Sequence, residues 1–113
     1  MAPHLVDWGH RQRDYQMNFE WDDNKLEENL EKHGVDFIKA MLIFEGPVST
    51  REDTRKDYGE RRFVSIGIVD ADCIVVVHTS RGGKTRIISA WRGGTDERRK
   101  YRNDVLGRGS GTL

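Results

Sequence analysis

The chain has 113 residues, which allows one modest hydrophobic core and excludes two. Its composition, 35% hydrophobic and 34% charged, is polar for a globular domain, but the apolar residues form periodic runs, which excludes a wholly disordered chain. The net charge of zero hides a division between segment 17–60, with 12 acidic and 6 basic residues, and segment 74–102, with 8 basic and 2 acidic residues.

The two ends of the chain lack the periodicity of a helix or a strand. Residues 1–16 precede a second methionine and are predicted to be an extension outside the fold. The glycine-rich tail 107–113 resembles a linker. The sequence therefore predicts a single domain over residues 17–106.

The first predicted elements are a short strand over Asn18 to Trp21 and a helix capped by Asp22, whose carboxylate can accept from the open N–H groups of the first turn. The predicted buried stripe of this helix consists of Leu26, Leu30 and His33. Gly34 is predicted to end this helix, because glycine readily adopts the left-handed conformation of a C-terminal cap.

A second helix is predicted to begin at Asp36 and to end at Gly46-Pro47. Its predicted buried residues are Phe37, Ala40, Met41 and Phe44. From Val48 onward the period changes to 2, which is typical of strands.

Three β-branched segments, 62–69, 73–79 and 85–91, are predicted to be antiparallel neighbours. Turns at 70–72 and at Gly82-Gly83 connect them. A last helix, capped by Thr95, carries Tyr101 and Val105 as a narrow apolar stripe. The order β-α-α-β-β-β-β-α predicts an α+β fold in which two N-terminal helices pack on one face of an antiparallel sheet of four to five strands, with a further C-terminal helix.

The hairpin 74–92 carries a histidine, hydroxyl groups and arginines, which are the groups that RNA cleavage without a metal needs. His78 can transfer a proton near neutral pH, and Arg86 and Arg92 can hold a phosphate. The alternative is that His78 ends a strand and the arginines form a solvated edge. On charge alone, the basic segment 74–102 could bind a polyanion, or it could equally attract the acidic segment 17–60.

The register of this hairpin limits which side chains can meet. A two-residue Gly82-Gly83 loop pairs Thr79 with Arg86 and His78 with Ile87, which sends His78 and Arg86 to opposite faces of the sheet. Without a bulge, one face carries His78, Ser89 and Trp91. The other face then carries Thr79, Arg86 and Arg92.

Other candidate residues have common structural explanations. Lys25, Asn29 and Lys32 share one helical stripe, although a solvated face is the simpler interpretation. Trp91 and Tyr101 could stack on bases or pack in the core.

Several chemistries lack their usual motifs in this sequence. The single Cys73 is predicted to be buried, and no cysteine and histidine cluster has zinc-ligand spacing. No phosphate-binding glycine loop or metalloprotease motif occurs, so we expect no cofactor and no metal. The longest apolar runs, 40–44 and 74–77, are far below the roughly 18 residues of a membrane span, and we expect a cytoplasmic protein that contacts no membrane.

Six segments in order resemble one known family, the BrnT toxins of bacterial type II toxin–antitoxin systems. They are Phe19-Glu20-Trp21-Asp22 with Lys25, Asn29, Lys32-His33-Gly34-Val35, Val76-Val77-His78-Thr79, Arg86-Ile87-Ile88-Ser89-Ala90 and Glu97-Arg98-Arg99-Lys100-Tyr101. The resemblance covers roughly residues 17–102. Trp91 departs from the family pattern, in which a further basic residue is expected.

The resemblance implies a RelE-like ribonuclease that cleaves RNA without a metal and inhibits translation. It also implies inhibition by a BrnA-like antitoxin with a ribbon-helix-helix domain, through which the complex binds operator DNA. The implied catalytic residues are His78, Arg86, Ser89 and Arg92. The RNA-binding candidates are Lys25, Lys32, Arg81, Lys84 and Arg98. The alternative is a non-catalytic module that binds nucleic acid or a protein partner.

Overall fold

The computed structural model describes residues 18–107, so the predictions for 1–16 and for the tail from 108 lie outside the described residues. The helices are α1 (Asp23–His33), α2 (Phe37–Leu42), a 3₁₀ turn (Ile43–Glu45) and α3 (Thr95–Tyr101), which continues as a π-helical turn (Arg102–Leu106). The strands are β1 (Phe19–Trp21), β2 (Ser49–Glu52), β3 (Arg62–Val69), β4 (Asp72–Arg81) and β5 (Lys84–Arg92).

The five strands form one sheet in the order β1-β5-β4-β3-β2. Three of the pairings are antiparallel, as predicted, whereas β1 pairs with β5 in parallel. Parallel pairing needs a long connection, which the two helices and three intervening strands provide. The predicted α+β class is confirmed.

The caps of the first two helices form as predicted. The Asp22 carboxylate accepts from the N–H groups of Asn24 and Lys25, and Asp36 accepts from Ile38 N. Gly34 ends α1 with a φ of 67°, a conformation that glycine adopts without steric cost. Local side-chain chemistry therefore fixes these helix boundaries.

The prediction for the buried stripe of α1 is wrong in part. Leu26 packs on the core, but Leu30 is 42% exposed and His33 is exposed. Asn29 is buried instead, because its side chain bonds to Ala90 in β5. An edge strand has unpaired backbone groups, so a polar residue is needed there.

Both faces of the sheet carry apolar residues. On the face covered by α1 and α2, here called the helix face, residues such as Phe37, Ile74 and Val76 form the larger core. The other face, here called the open face, holds a smaller cluster that includes Val75, and Trp91 packs beside it. The α3 helix covers only part of the open face, through contacts with β3 and β4.

The cap of α3 differs from the prediction. Gly94, rather than Thr95, occupies the capping position, and its N–H donates to the Glu97 carboxylate at 2.7 Å. At Gly93 a Cβ would lie 2.7 Å from the Sγ of Cys73, which is buried as predicted, so only glycine fits this junction. Among residues 18–107, no helix is long and apolar enough to cross a membrane.

Candidate active site on the open face

A β-bulge in β5 decides which hairpin residues share a face. The predicted pairs Thr79 with Arg86 and His78 with Ile87 are present, but Val77 then pairs with Ser89, which leaves Ile88 as an extra residue. The extra residue reverses the alternation from there on.

The predicted faces of three residues are therefore wrong. Ser89 and Trp91 share the open face with Arg86, as their partners Val77 and Val75 belong to the open-face cluster. Arg92 pairs with Ile74 and lies on the helix face. The prediction that His78 and Arg86 face opposite ways is confirmed.

Four strands contribute to one row of side chains across the open face, near the Gly82-Gly83 turn. Arg62 pairs with Thr79, Thr79 with Arg86, and Arg86 with Glu20. Adjacent strands lie about 4.8 Å apart, so the two arginines are about 10 Å apart along this row. We call this set, Arg62, Thr79, Arg86 and Glu20, the arginine row.

The two arginines of the row differ in their partners. Arg86 Nη1 donates to Glu20 Oε2 at 3.2 Å, and the Arg86 side chain is 25% exposed. Arg62 Nε donates to Glu60 Oε2 at 3.1 Å, and the Arg62 guanidinium lies 4.3 Å from the centre of the Tyr58 ring. Both charges are thus held in fixed positions by neighbouring groups.

Glu60 lies between two arginines from different strands. Its Oε2 accepts from Arg62, and its Oε1 accepts from Arg81 Nη2 at 3.2 Å. The hydrogen bond from Arg62 is the main reason that the Glu60 pKa lies below its usual value, and Arg81 adds to the effect. Glu60 is therefore a carboxylate at neutral pH, and its side chain remains 28% exposed.

The loop that carries Glu60 is anchored by the buried Asp53. Its carboxylate accepts two hydrogen bonds from the Arg55 guanidinium and one from the Tyr58 hydroxyl. These contacts, above all the one from Arg55, hold the pKa of Asp53 well below its usual range. The anchor fixes Tyr58 beside Arg62 and so positions the far end of the loop.

Ser89 lies on the open face beside this loop. It lines a shallow pocket together with Tyr58, Arg62, Ile88 and Trp91. Arg55 and Lys56 also reach this pocket from the loop. The structure therefore brings Ser89 together with Arg62 and loop residues that the sequence predictions did not include, and it places Arg86 on the same face.

His78 lies on the helix face, away from the arginine row. Its Nε2 is 2.8 Å from Ser65 Oγ, and its ring makes an edge contact with Phe44 at 5.1 Å and a stacked contact with Phe63 at 6.0 Å. Burial lowers the pKa of His78 to about 4, so the ring is neutral at pH 7. His78 and Arg86 do not share one site.

Two further RNA-binding candidates lie at the hairpin turn. Arg81 pairs with Lys84 in the β4–β5 ladder, and both side chains are exposed. Arg81 contacts Glu60, whereas Lys84 makes no ion pair within residues 18–107. The turn thus extends the basic surface of the arginine row.

Other predicted residues lie away from the arginine row. Lys32 and Arg92 line a second shallow pocket with His33 and Trp91. Lys25 is exposed near the start of α1. Arg98 lies near the opposite end of β4, where its guanidinium donates to Ala71 O at 3.3 Å.

Sequence reasoning missed the segment 58–62, Tyr-Gly-Glu-Arg-Arg. Glu60 is followed directly by Arg61 and Arg62 at the start of a predicted strand, and this pattern could have indicated a functional carboxylate. Strand alternation alone would have placed Arg62 on the same face as Thr79. The contact between Glu60 and Arg81 could not be read from the sequence, because 21 positions separate them.

Residues 18–107 contain no group of three or more His, Cys, Asp or Glu side chains arranged to hold a metal ion. A family model described as a ribonuclease toxin, BrnT, of a type II toxin–antitoxin system matches residues 21–97. The match includes the strands β2 to β5 and Trp21 at the end of β1, and therefore every residue of the arginine row except Glu20. No curated protein matches the chain.

Proposed function

This chain belongs to the BrnT family of ribonuclease toxins of type II toxin–antitoxin systems, and we propose that it cleaves RNA at the open face, between the arginine row and Glu60. The observation that carries this proposal is the Glu60 carboxylate, held between Arg62 and Arg81 on the face that also presents Arg86. A base and several fixed cations in one place match the needs of phosphodiester cleavage.

The arginines bind the scissile phosphate. The bond from Arg62 to Glu60 uses Nε, so both terminal nitrogens remain available for phosphate oxygens. Arg86 approaches from the other end of the row, and Lys84 adds charge at the turn. Because these cations are held in place before the reaction, they stabilise the extra negative charge that develops on the phosphate in the transition state.

Glu60 is the general base in this mechanism. It accepts the proton of the ribose 2′-OH, the 2′-oxygen bonds to phosphorus, and the bond from phosphorus to the 5′-oxygen breaks. The leaving 5′-oxygen takes a proton from water, which gives a 2′,3′-cyclic phosphate and a 5′-hydroxyl. When the substrate phosphate offsets the charges of Arg62 and Arg81, the pKa of Glu60 rises, which makes it a stronger base.

The remaining predicted residues differ in their distance from this site, and we assign their roles accordingly. Ser89 lies in the adjoining pocket and can donate a hydrogen bond to the RNA backbone. Lys25, Lys32, Arg92 and Arg98 lie farther from the row and contact flanking phosphates at most. His78 takes no part in proton transfer, since it lies on the other face among aromatic rings.

The mechanism uses protein side chains and water, with no metal ion, which makes metal independence testable. Purified protein is incubated with a labelled, unstructured RNA in excess EDTA and, in parallel, with Mg²⁺. We expect equal cleavage in both, with cyclic phosphate ends on the products. Cleavage that requires the metal would contradict metal independence. Binding without cleavage under either condition would favour the non-catalytic nucleic-acid-binding module.

A type II family implies an antitoxin partner, and we propose that it is a BrnA-like protein with a ribbon-helix-helix domain that recruits operator DNA. The open face presents its arginines to solvent, so an acidic antitoxin segment can cover and neutralise them. In the cytoplasm, cleavage by the free toxin would inhibit translation. Co-expression should give a complex of defined stoichiometry that protects RNA, and cleavage at the rate of free toxin would contradict this.

A further inference from the structure

Trp91 connects the open face with a second patch at the edge of the sheet. It lines two pockets of the open face, one of them shared with Arg62 and Ser89. It also lines the shallow pocket formed by Lys32, His33 and Arg92. One indole therefore borders both the candidate active site and a basic patch outside it.

The C-terminal half of the β5 edge has no neighbouring strand, because β1 is short. The β1 strand pairs only with Thr85, Arg86 and Ile87, and beyond that point the C-terminal half of α1 lies against β5. This brings His33, the last residue of α1, to 5.9 Å from the Trp91 ring, measured between ring centres. His33 is exposed, so the aromatic pair lies at the surface.

Two exposed cations flank this aromatic pair. Lys32 comes from α1 and Arg92 from the end of β5, and neither forms a salt bridge within the described part of the chain. The hydrogen bond from Lys39 is the main cause of the lowered pKa of Asp72, but the charge of Arg92 also helps to lower it. Proteins that bind single-stranded nucleic acid use this combination, in which bases stack on aromatic rings while cations hold the backbone.

We propose that Trp91 is a base-stacking platform for unpaired RNA, with Lys32 and Arg92 binding the phosphate next to the stacked base. This inference rests on the proposed function, because it extends the substrate beyond the arginine row. Arg86 and Trp91 are five positions apart, which is about 16 Å at the usual rise of a strand. At about 3.4 Å per stacked nucleotide, this corresponds to roughly four to five nucleotides.

The substrate class is thus a single-stranded segment that reaches from the arginine row to the edge of β5. A duplex presents no free base face to the indole. A dinucleotide held at the arginine row is too short to reach Trp91. Length and lack of pairing should therefore both raise affinity.

The test measures binding without cleavage, so that it stands apart from the catalytic proposal. The probe is a fluorescent, unstructured 12-nucleotide RNA in which every 2′-OH is replaced by fluorine, and its anisotropy gives the Kd. We expect Trp91→Leu to weaken binding about tenfold, as one stacked base contributes about 1–3 kcal/mol. Trp91→Phe keeps an aromatic face and should remain within about twofold of the wild type.

The cations are tested with a matched control. The double variant Lys32→Gln with Arg92→Gln should weaken binding about tenfold and reduce the salt dependence by about two phosphate contacts. The control is Arg99→Gln with Arg102→Gln, which removes two exposed charges from α3 and from the π-helical turn that continues it. It should bind RNA almost as the wild type does.

Three results would overturn the proposal. One is wild-type affinity in both Trp91→Leu and the Lys32 and Arg92 double variant, with unchanged circular dichroism showing that the fold is intact. Another is an equal loss in the Arg99 and Arg102 control. The third is a loss of antitoxin affinity with RNA affinity unchanged, which would make the patch a protein interface. Absence of cleavage, by contrast, would contradict only the catalytic proposal.

Discussion

The side-chain amide of Asn29 makes the two hydrogen bonds to Ala90 that a neighbouring strand would make. Asn29 Nδ2 donates to Ala90 O at 2.8 Å, and Ala90 N donates to Asn29 Oδ1 at 3.0 Å. Asn29 Nδ2 also donates to Val35 O at 2.9 Å, so one buried amide joins α1, the following loop and β5. It extends the edge of the sheet where β1 has ended.

Asn29→Ala should destabilise the domain by about 3 kcal/mol, because three buried backbone groups lose their partner at once. Urea denaturation followed by circular dichroism measures the change. Asn24→Ala is the control, since Asn24 is exposed on the same helix, and it should stay within about 0.5 kcal/mol. Alanine has a higher helix propensity than asparagine, so a loss in Asn29→Ala no larger than the change in Asn24→Ala would contradict the role of the edge contact.

Glu60→Gln should reduce the RNA cleavage rate by about 10²–10⁴-fold, as expected on loss of a general base. Glutamine keeps the shape of the side chain but has one acceptor oxygen, so it keeps only one of the hydrogen bonds from Arg62 and Arg81. Both ion pairs are partly exposed, so the melting temperature should change little. Single-turnover cleavage with saturating protein gives the rate. Glu52→Gln removes an exposed partner of Arg61 and should cleave at the wild-type rate. Wild-type cleavage by Glu60→Gln would exclude Glu60 as the base.

Arg86→Gln and Glu20→Gln break the same ion pair from opposite sides. Since the pair is partly exposed, each should cost at most about 1 kcal/mol of stability. Their effects on RNA should differ in sign. Arg86→Gln removes a phosphate ligand and should weaken both binding and cleavage, whereas Glu20→Gln releases Arg86 and should strengthen binding.

The comparison of these two variants needs only Kd values, cleavage rates and urea midpoints. Equal losses of binding in both would mean that the ion pair matters for the fold of β1 and β5, and not for RNA. In that case the arginine row would not be the phosphate site.

His78 should make the stability of the domain depend on pH. Burial lowers its folded pKa from 6.5 to about 4, so between these values the unfolded chain binds a proton that the folded chain does not. The contribution of neutral His78 is therefore complete above pH 6.5 and is lost as the pH falls toward 4.

His78→Gln should reduce this loss, and the stability difference between wild type and variant should shrink from pH 7 to pH 4.5. Urea midpoints across this range measure it, and parallel curves would contradict a buried neutral histidine. The same variant should cleave RNA at pH 7.5 at close to the wild-type rate. A loss of cleavage rate as large as that of Glu60→Gln would show that His78 takes part in catalysis.

Much of the fold could be predicted because its signals are local. Asp22 and Asp36 cap helices through bonds to residues two or three positions away. Gly82 and Gly83 set the first pairs of the hairpin, since both adopt positive φ. Family membership also followed from short segments in order.

The candidate site was less predictable because it depends on pairing over long distances in the chain. Arg86 was expected on the basic hairpin, and its orientation relative to His78 was correct. Glu20, the partner of Arg86, and Glu60, the partner of Arg81, come from distant segments, and no periodic pattern links them to the hairpin.

The sequence by itself determined the order of elements, the caps of the first two helices, the hairpin turn and the family, because each can be recognised from residues that lie close together in the chain. Only the tertiary structure decided on which face of the sheet each side chain of β5 lies. Side chains of a strand alternate between the two faces, so the extra residue Ile88 reverses the faces expected for a regular hairpin. Ser89 and Trp91 therefore lie on the open face, and Arg92 lies on the helix face. The parallel pairing of β1 and the burial of Asn29 likewise arise only when distant segments compete for the hydrogen bonds of one strand edge.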